Sequence, residues 1–288
     1  MPHGLDHIVH AVRDIDTAAE FYVRAGFTVG GRNRHPWGTH NRVVQLKNCY
    51  IEILEVTEPE KIVPHGARSF SFGAFNRDFV ARREGFSMLI LNSSDAAADA
   101  RSFEAAGIGG FDVFDFAREG KRPDGTPVKL AFSLAFAADS SSPDLRFAAC
   151  QHYFPQNFWN PAFQNHSNGA KSVSGVAMVA SDPLTHQTFL KAFSGVEDLS
   201  SSTTGVKARS ENGEIDTVNP VTYRDQFGVP VDVIDEGMTL RAIRFAVVDL
   251  AHAESLHRQN GIASRRHGGR LVVPPDLAHG ATLIFEAT

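Results

Sequence analysis

The sequence predicts an α+β fold built from four tandem β-α-β-β-β units. Three observations carry this. A strand, a capped helix and a glycine stop recur four times, at intervals of roughly 70–90 residues. The apolar pattern switches between period 2 and period 3.6 within each recurrence. The 288 residues are enough for two ordinary domains, and 42% hydrophobic with 21% charged residues is a globular composition.

In the first unit, Gly4–Val12 is a strand. Leu5, His7, Val9 and Ala11 share one face; Asp6, Ile8, His10 and Val12 share the other. Apolar residues on both faces suit a sheet with helices on one side and a cavity on the other. Asp14 or Asp16 caps a helix whose stripe is Ala18, Ala19, Phe21, Tyr22 and Ala25, and Gly26 stops it. Phe27-Thr28-Val29 starts a second strand, and a polar loop with a Pro-Trp-Gly turn follows. Arg42–Leu46 and Tyr50–Val56 complete the unit. Pro59–Arg83 is a connector whose Phe70, Phe72, Phe75 and Phe79 lie across an apolar surface.

The second unit opens with a strand at Phe86–Leu91. Ser94 or Asp95 caps a helix ended by Gly107, and strands follow near Asp112–Phe116, Val128–Phe136 and Leu145–Tyr153. Phe154–Lys171, dense in Pro, Asn, Phe and Trp, reads as the crossover between an N-terminal pair (1–153) and a C-terminal pair (172–288). The third unit runs from Val173–Ala180 through a helix opened by Asp182-Pro183, with later strands at Gly205–Arg209, Thr222–Tyr223 and Val229–Ile234. The fourth begins with Leu240–Val248, continues with a helix capped by Asp249, and ends in Ala281–Glu286.

Composition narrows the function. A net charge of −5 argues against nucleic acid as the main partner. No apolar run is long enough to span a membrane, and no secretory signal is visible. Two cysteines, Cys49 and Cys150, make no disulfide framework, which fits a cytoplasmic location. With 22 Phe against 4 Tyr and 2 Trp, large dry interiors are expected. Gly30-Gly31 and Gly268-Gly269 are turns, no serine elbow is present, and neither cysteine has a nucleophile partner nearby in sequence.

Leu5-Asp6-His7-Ile8-Val9 with Asp14, Phe21 and Gly26-Phe27, followed by Tyr50-Ile51-Glu52-Ile53, resembles the glyoxalase and bleomycin-resistance group, the vicinal oxygen chelate superfamily. The likeness is clearest to glyoxalase-like domain proteins, and Trp37-Gly38-Thr39-His40-Asn41-Arg42 shares it. The resemblance implies paired units closing into two open-barrel halves around a divalent metal: iron, manganese, zinc or nickel. It places His7 at the first-strand ligand position and Glu52 at the last-strand position. In the second unit the first-strand position falls near Ser87 or Met88, and the last strand offers Gln151 or His152. His152 is the better ligand chemically, and a one-residue slip decides which faces inward. Near Gly175 and Ala242 no ligand stands, so the C-terminal pair is expected to lack metal.

An imidazole and a carboxylate on neighbouring strands suit a first-row divalent ion acting as a Lewis acid. The resemblance thus implies a metal set of His7, Glu52 and His152, with Gln151 as the alternative third member. Glu52, if displaced from the metal, doubles as a base, and Trp37, His40 and Arg42 are the candidate substrate residues at a cavity mouth. Glu52 is costly to bury unpaired, so it needs a cation or a donor, such as Arg42. His10 points away from His7 under a helix, and Glu55 faces away from Glu52. The function so implied is a metal-dependent glyoxalase- or dioxygenase-like enzyme, a lyase, isomerase or dioxygenase, acting on a small oxygenated molecule. The alternative is a metal-free protein that binds or sequesters a small molecule. A homodimer is compatible with either.

Overall fold

The structure, a computed structural model, describes residues 2–121, 125–232 and 237–288. The first half contains β1 (Leu5–Ala11), α1 (Ile15–Arg24), β2 (Asn33–Arg34), β3 (Thr39–Gln45), β4 (Tyr50–Val56), α2 (Phe72–Arg82), β5 (Gly85–Ser93), α3 (Ala96–Ala105), β6 (Phe114–Lys121), β7 (Pro127–Ala137), β8 (Arg146–His152) and α4 (Pro155–Phe158). The second contains β9 (Ala170–Val179), α5 (Gln187–Ser194), β10 (Ser200–Ser202), β11 (Gly205–Ser210), β12 (Gly213–Val218), α6 (Pro220–Phe227), β13 (Thr239–Val247), α7 (Leu250–Gln259), β14 (Arg265–His267), β15 (Arg270–Val273) and β16 (Thr282–Ala287).

Each half is one eight-stranded sheet with the same internal order. The first runs β2-β3-β4-β1-β5-β8-β7-β6, the second β10-β11-β12-β9-β13-β16-β15-β14. In each, the two units meet at a central antiparallel pair, β1–β5 or β9–β13, and within each unit the first and last strands run parallel. These are two open half-barrels of paired β-α-β-β-β units.

Asp14 accepts from the amides of Asp16 and Thr17 at the start of α1, Asp95 from Ala98 at α3, and Asp249 from Ala251 and His252 at α7. Gly26, at φ 88°, turns the chain out of α1 in a conformation that a side chain would disfavour. The helices α1, α3, α5 and α7 put Tyr22, Phe103, Phe193 and Ala253 into one core shared by both sheets, and Phe27 meets Phe245 and Phe285 across the halves. Fully burying a phenylalanine such as Phe245 contributes roughly 2–3 kcal/mol. The opposite, concave faces have their own clusters, capped by Phe72 and Phe75 of α2 in the first half and by Tyr223 and Phe227 of α6 in the second.

Several expected elements differ. Phe27–Val29 is irregular, and the short edge strand lies later, at β2. The connector holds helix α2, capped by Ser71. Thr222–Tyr223 lies inside α6 instead of forming a strand. The Asn219 side chain caps Thr222, Pro220 opens the helix and Gly228 closes it at φ 69°, a set of helix signals that outweighs the β-propensity of two residues. Of Val229–Ile234, residues 229–232 are irregular, and 233 and 234 lie outside the described residues.

Candidate functional site

The concave face of the first sheet gathers one inward residue from every second position. β1 supplies His7 and Val9; β4 supplies Tyr50, Glu52 and Leu54; β3 supplies Asn41 and Val43. From the second unit, β5 supplies Met88 and Ile90, β8 Ala148 and Cys150, β7 Phe132 and Leu134, and β6 Phe114, Phe116 and Arg118. Those of β3, β6 and β7, with His7, Tyr50, Glu52 and Cys150, line an inner chamber of about 70 Å³. A cleft of about 470 Å³ lies outside it, between the Gly30–Asn33 segment, β6, β7 and the crossover.

One wall of the chamber is polar. The His7 ring stacks on Tyr50, its register partner, at 4.4 Å, and its Nδ1 is 2.6 Å from Asp6 Oδ1. Glu52 is buried, and its Oε1 accepts from Asn41 Nδ2 at 2.6 Å. The same amide donates to His35 Nε2 at 3.3 Å, so His35 keeps its proton on Nδ1 and donates it to Thr39 Oγ1. Burial lowers the His35 pKa, which favours this neutral form although Glu52 opposes the shift. The facing wall, from Phe114, Phe116, Phe132 and Leu134, is apolar.

Asp6 is drawn in by a bulge. Leu5 pairs with Leu91 and His7 with Ile90, so the register skips Asp6. Its carboxylate, expected on the face opposite His7, instead meets His7 and, at 3.1 Å, Nε2 of His152. Burial alone would raise this carboxyl. The His152 charge and the hydrogen bonds from His152 and His7 outweigh it and hold the pKa at about 2. His152 Nδ1 is buried without a partner. Cys150 completes the group: donor atoms of Asp6, Cys150 and His152 all lie within 4.8 Å of one another, the one such trio of His, Cys, Asp or Glu among the described residues. Burial pushes the Cys150 thiol well up. A carboxylate, a thiol and an imidazole with a free ring nitrogen are a donor set that fits a first-row divalent ion.

The structure sorts the residues singled out from sequence. His7, Glu52 and Trp37 line the chamber, and His152 stands beside it against Phe132 and Trp159. Gln151 faces the other way and accepts from the Ala96 amide at the start of α3. His40 and Arg42 also turn to the helix side of the sheet. His40 lies between Arg32 and Glu58, and Arg42 pairs with Asp16 of α1 at 2.9 Å, so Arg42 is not the partner of Glu52. Glu55 pairs with Arg32, and His10 lies beneath α1 with Nδ1 accepting from Tyr22 and Nε2 donating to the His279 carbonyl. Asp6, His35, Asn41, Cys150 and Arg118 were not singled out. Alternation with Thr39 and Val43 could have marked Asn41; the Asp6 bulge and the Cys150–Asp6 approach have no local signal.

In the second half the corresponding concave surface holds Arg244. Its guanidinium is 2.7 Å from Glu214 and 3.3 Å from Asp216, with Lys207 on both carboxylates. A Cβ on Gly175 would stand 2.4 Å from Arg244 Nη2, so the bare glycine is what admits this side chain.

Residues 5–193 match the family described as glyoxalase-like domain. The chain belongs to that family. No curated protein matches the chain in sequence. Among solved structures, a hypothetical protein from Staphylococcus aureus superposes with TM-score 0.67 at 13% identity over 100% of both chains. A mutant of 4-hydroxymandelate synthase from Streptomyces coelicolor gives 0.56 at 11% identity, over 99% of this chain and 92% of that one. The Mn(II)-bound glyoxalase from Novosphingobium aromaticivorans gives 0.55 at 11%, over 99% and 82%. At these identities the likeness is one of fold. Among the described residues no helix is long and apolar enough to cross a membrane.

Proposed function

We propose that this member of the glyoxalase-like domain family is a metal-dependent enzyme of the glyoxalase or dioxygenase type, acting on a small oxygenated molecule with a carbonyl or aromatic group. The convergence of Asp6, Cys150 and His152 beside a chamber that also holds His7 and Glu52 is the observation that supports it. In this reading Asp6, Cys150 and His152 hold a divalent ion, and His7, 2.6 Å from Asp6, orients that carboxylate. The fold neighbour named as Mn(II)-bound supports a divalent ion without identifying it. When bound, the ion supplies Lewis-acid polarisation of substrate oxygens.

The chain's own residues do the rest. Asn41 holds Glu52 Oε1, which leaves Oε2 to take or return a proton inside the chamber. The Phe114, Phe116 and Phe132 rings exclude water from the small reacting group in the chamber. We place this chemistry in a reducing compartment, the cytoplasm, because both cysteines are free and buried. Elemental analysis of protein purified without chelators tests the reading. Near one equivalent of metal is expected in wild type, lost in Asp6→Asn and His152→Ala and reduced in His7→Ala. No metal in wild type after reconstitution overturns it.

A second reading, metal-free binding of a small molecule, has its own support. The wall from Phe114, Phe116, Phe132 and Leu134 offers no ligand, and Asp6 is already satisfied by two imidazoles. Saturable binding of an aromatic compound by chelator-treated protein, with no turnover in any metal-loaded form, would establish it.

A further inference from the structure

Strand β6 carries a short ladder on its inward face: Phe114, Phe116 and then Arg118. Successive members are about 7 Å apart, two residues of extended chain. The ladder leads from the inner chamber to its exit. Arg118, Val43 and Phe158 line both the chamber and the outer cleft, so they form the neck between them.

The two spaces differ in what they admit. A dry cavity that takes a benzene ring measures roughly 150 Å³. The chamber, at about 70 Å³, takes only a small group such as a carbonyl or a hydroxyl. The cleft, at about 470 Å³, is in the range of small-molecule sites and has Phe158, Trp159 and Phe163 on its crossover side. A ligand with a ring therefore keeps the ring outside the neck.

Arg118 stands at that neck without a carboxylate. Among the described residues none lies within ion-pair distance, and its recorded hydrogen bond is a long one, 3.4 Å, to the Glu119 carbonyl. Burial lowers its pKa, with Tyr50 and Glu52 opposing, but a guanidinium stays charged. Arg244, on the equivalent surface of the second half, has carboxylates at 2.7 and 3.3 Å. A half-buried guanidinium facing a cavity is satisfied best by a planar, bidentate anion.

We infer that the ligand of this site is an aromatic carboxylate, its carboxylate anchored by Arg118 at the neck, its ring in the outer cleft and its small oxygenated end in the chamber. The inference rests on the reading that this concave face is the ligand site, and it does not need the metal.

The two tryptophans of the chain, Trp37 in the chamber and Trp159 in the cleft, make intrinsic fluorescence the readout. The probes are phenylacetate and its neutral isostere phenylacetamide, titrated into the full chain after chelator treatment and again after metal loading, with calorimetry as a second measure. The acid should bind at least tenfold tighter than the amide. Arg118→Gln should bring the ratio close to one while leaving amide binding unchanged, and Arg118→Lys should restore part of it. Thermal melts establish that the variants are folded. Equal affinity of acid and amide in wild type, a preference that survives Arg118→Gln, or no response to either probe at millimolar concentration overturns the inference. Absence of metal together with an Arg118-dependent preference would remove the metal reading and leave this one standing. A preference that needs metal and ignores Arg118 would do the reverse.

Discussion

The Asp6 carboxylate and the His152 imidazole lie 3.1 Å apart although 146 residues separate them. The contact ties the first strand of one unit to the last strand of the next, and it sets a pH dependence. The Asp6 pKa falls from 3.8 to about 2 in the folded protein. The folded state then binds fewer protons than the unfolded chain between these values. The resulting stabilisation, on the order of 2 kcal/mol, is complete above about pH 4 and disappears as pH falls toward 2. Asp6→Asn should lose it at pH 7. In urea titrations the gap between wild type and variant should narrow at pH 3; a gap of constant size would refute the assignment.

His10 produces a second dependence, of a base held neutral. Burial lowers its pKa from 6.5 to about 4, although the hydrogen bond to the His279 carbonyl works against the shift. The unfolded chain takes up a proton at pH 6.5 that the folded protein refuses until about pH 4. Stability contributed by neutral His10 is therefore present above pH 6.5 and lost as pH falls through this window, by on the order of 3 kcal/mol at its lower end. His10→Phe should flatten the wild-type slope between pH 6.5 and 4. At pH 7 it should cost about 1–3 kcal/mol, because Tyr22 Oη and the His279 carbonyl lose their partner. An unchanged slope would show that other groups cause it.

Asn41 is the donor that makes a buried Glu52 tolerable. Asn41→Ala should destabilise the fold by about 1.5–3 kcal/mol, the range for a hydrogen bond to a charged group. The double variant Asn41→Leu with Glu52→Met removes both partners and should be less destabilised than the sum of the single changes. Chemical denaturation of all four proteins gives the coupling. Strict additivity would mean that the carboxylate finds another donor.

In the second half, Arg244 is the counter-charge of buried Asp216, whose pKa burial nevertheless raises. Arg244→Met should cost about 3–5 kcal/mol by stranding that carboxylate. Gly175→Ala should cost about 1–3 kcal/mol, since its methyl group would press on the guanidinium and on the Glu214 carbonyl. Melting temperatures of both variants check this. A neutral Gly175→Ala would show that Arg244 has room to move.

Much of the architecture is legible along the chain because it rests on local rules. Asp14, Asp95 and Asp249 mark helix starts since their side chains reach amides two or three residues away. His7 and Glu52 share a wall of the chamber because both keep the alternation of their strands. Thr222–Tyr223 has strand propensity, but the Asn219-Pro220 start and the Gly228 stop outweigh it and make the segment helical.

Other features have no local signature. A bulge turns Asp6 toward His7, and strand register alone sends Gln151 to α3 and leaves His152 on the site side. Arg118 becomes a neck residue only when the edge hairpin of β6 and β7 curls over β3 and the crossover. The sequence by itself determined the order of the four units, their caps and stops, and an imidazole and a carboxylate facing one cavity, since these depend on residues within a few positions of each other. Only the tertiary structure decided which donors meet, that Arg118 has no carboxylate partner among the described residues, and which half is plugged by an arginine. Those contacts join strands of different units, and their distances follow from register and closure of the sheet, which no short stretch of chain encodes.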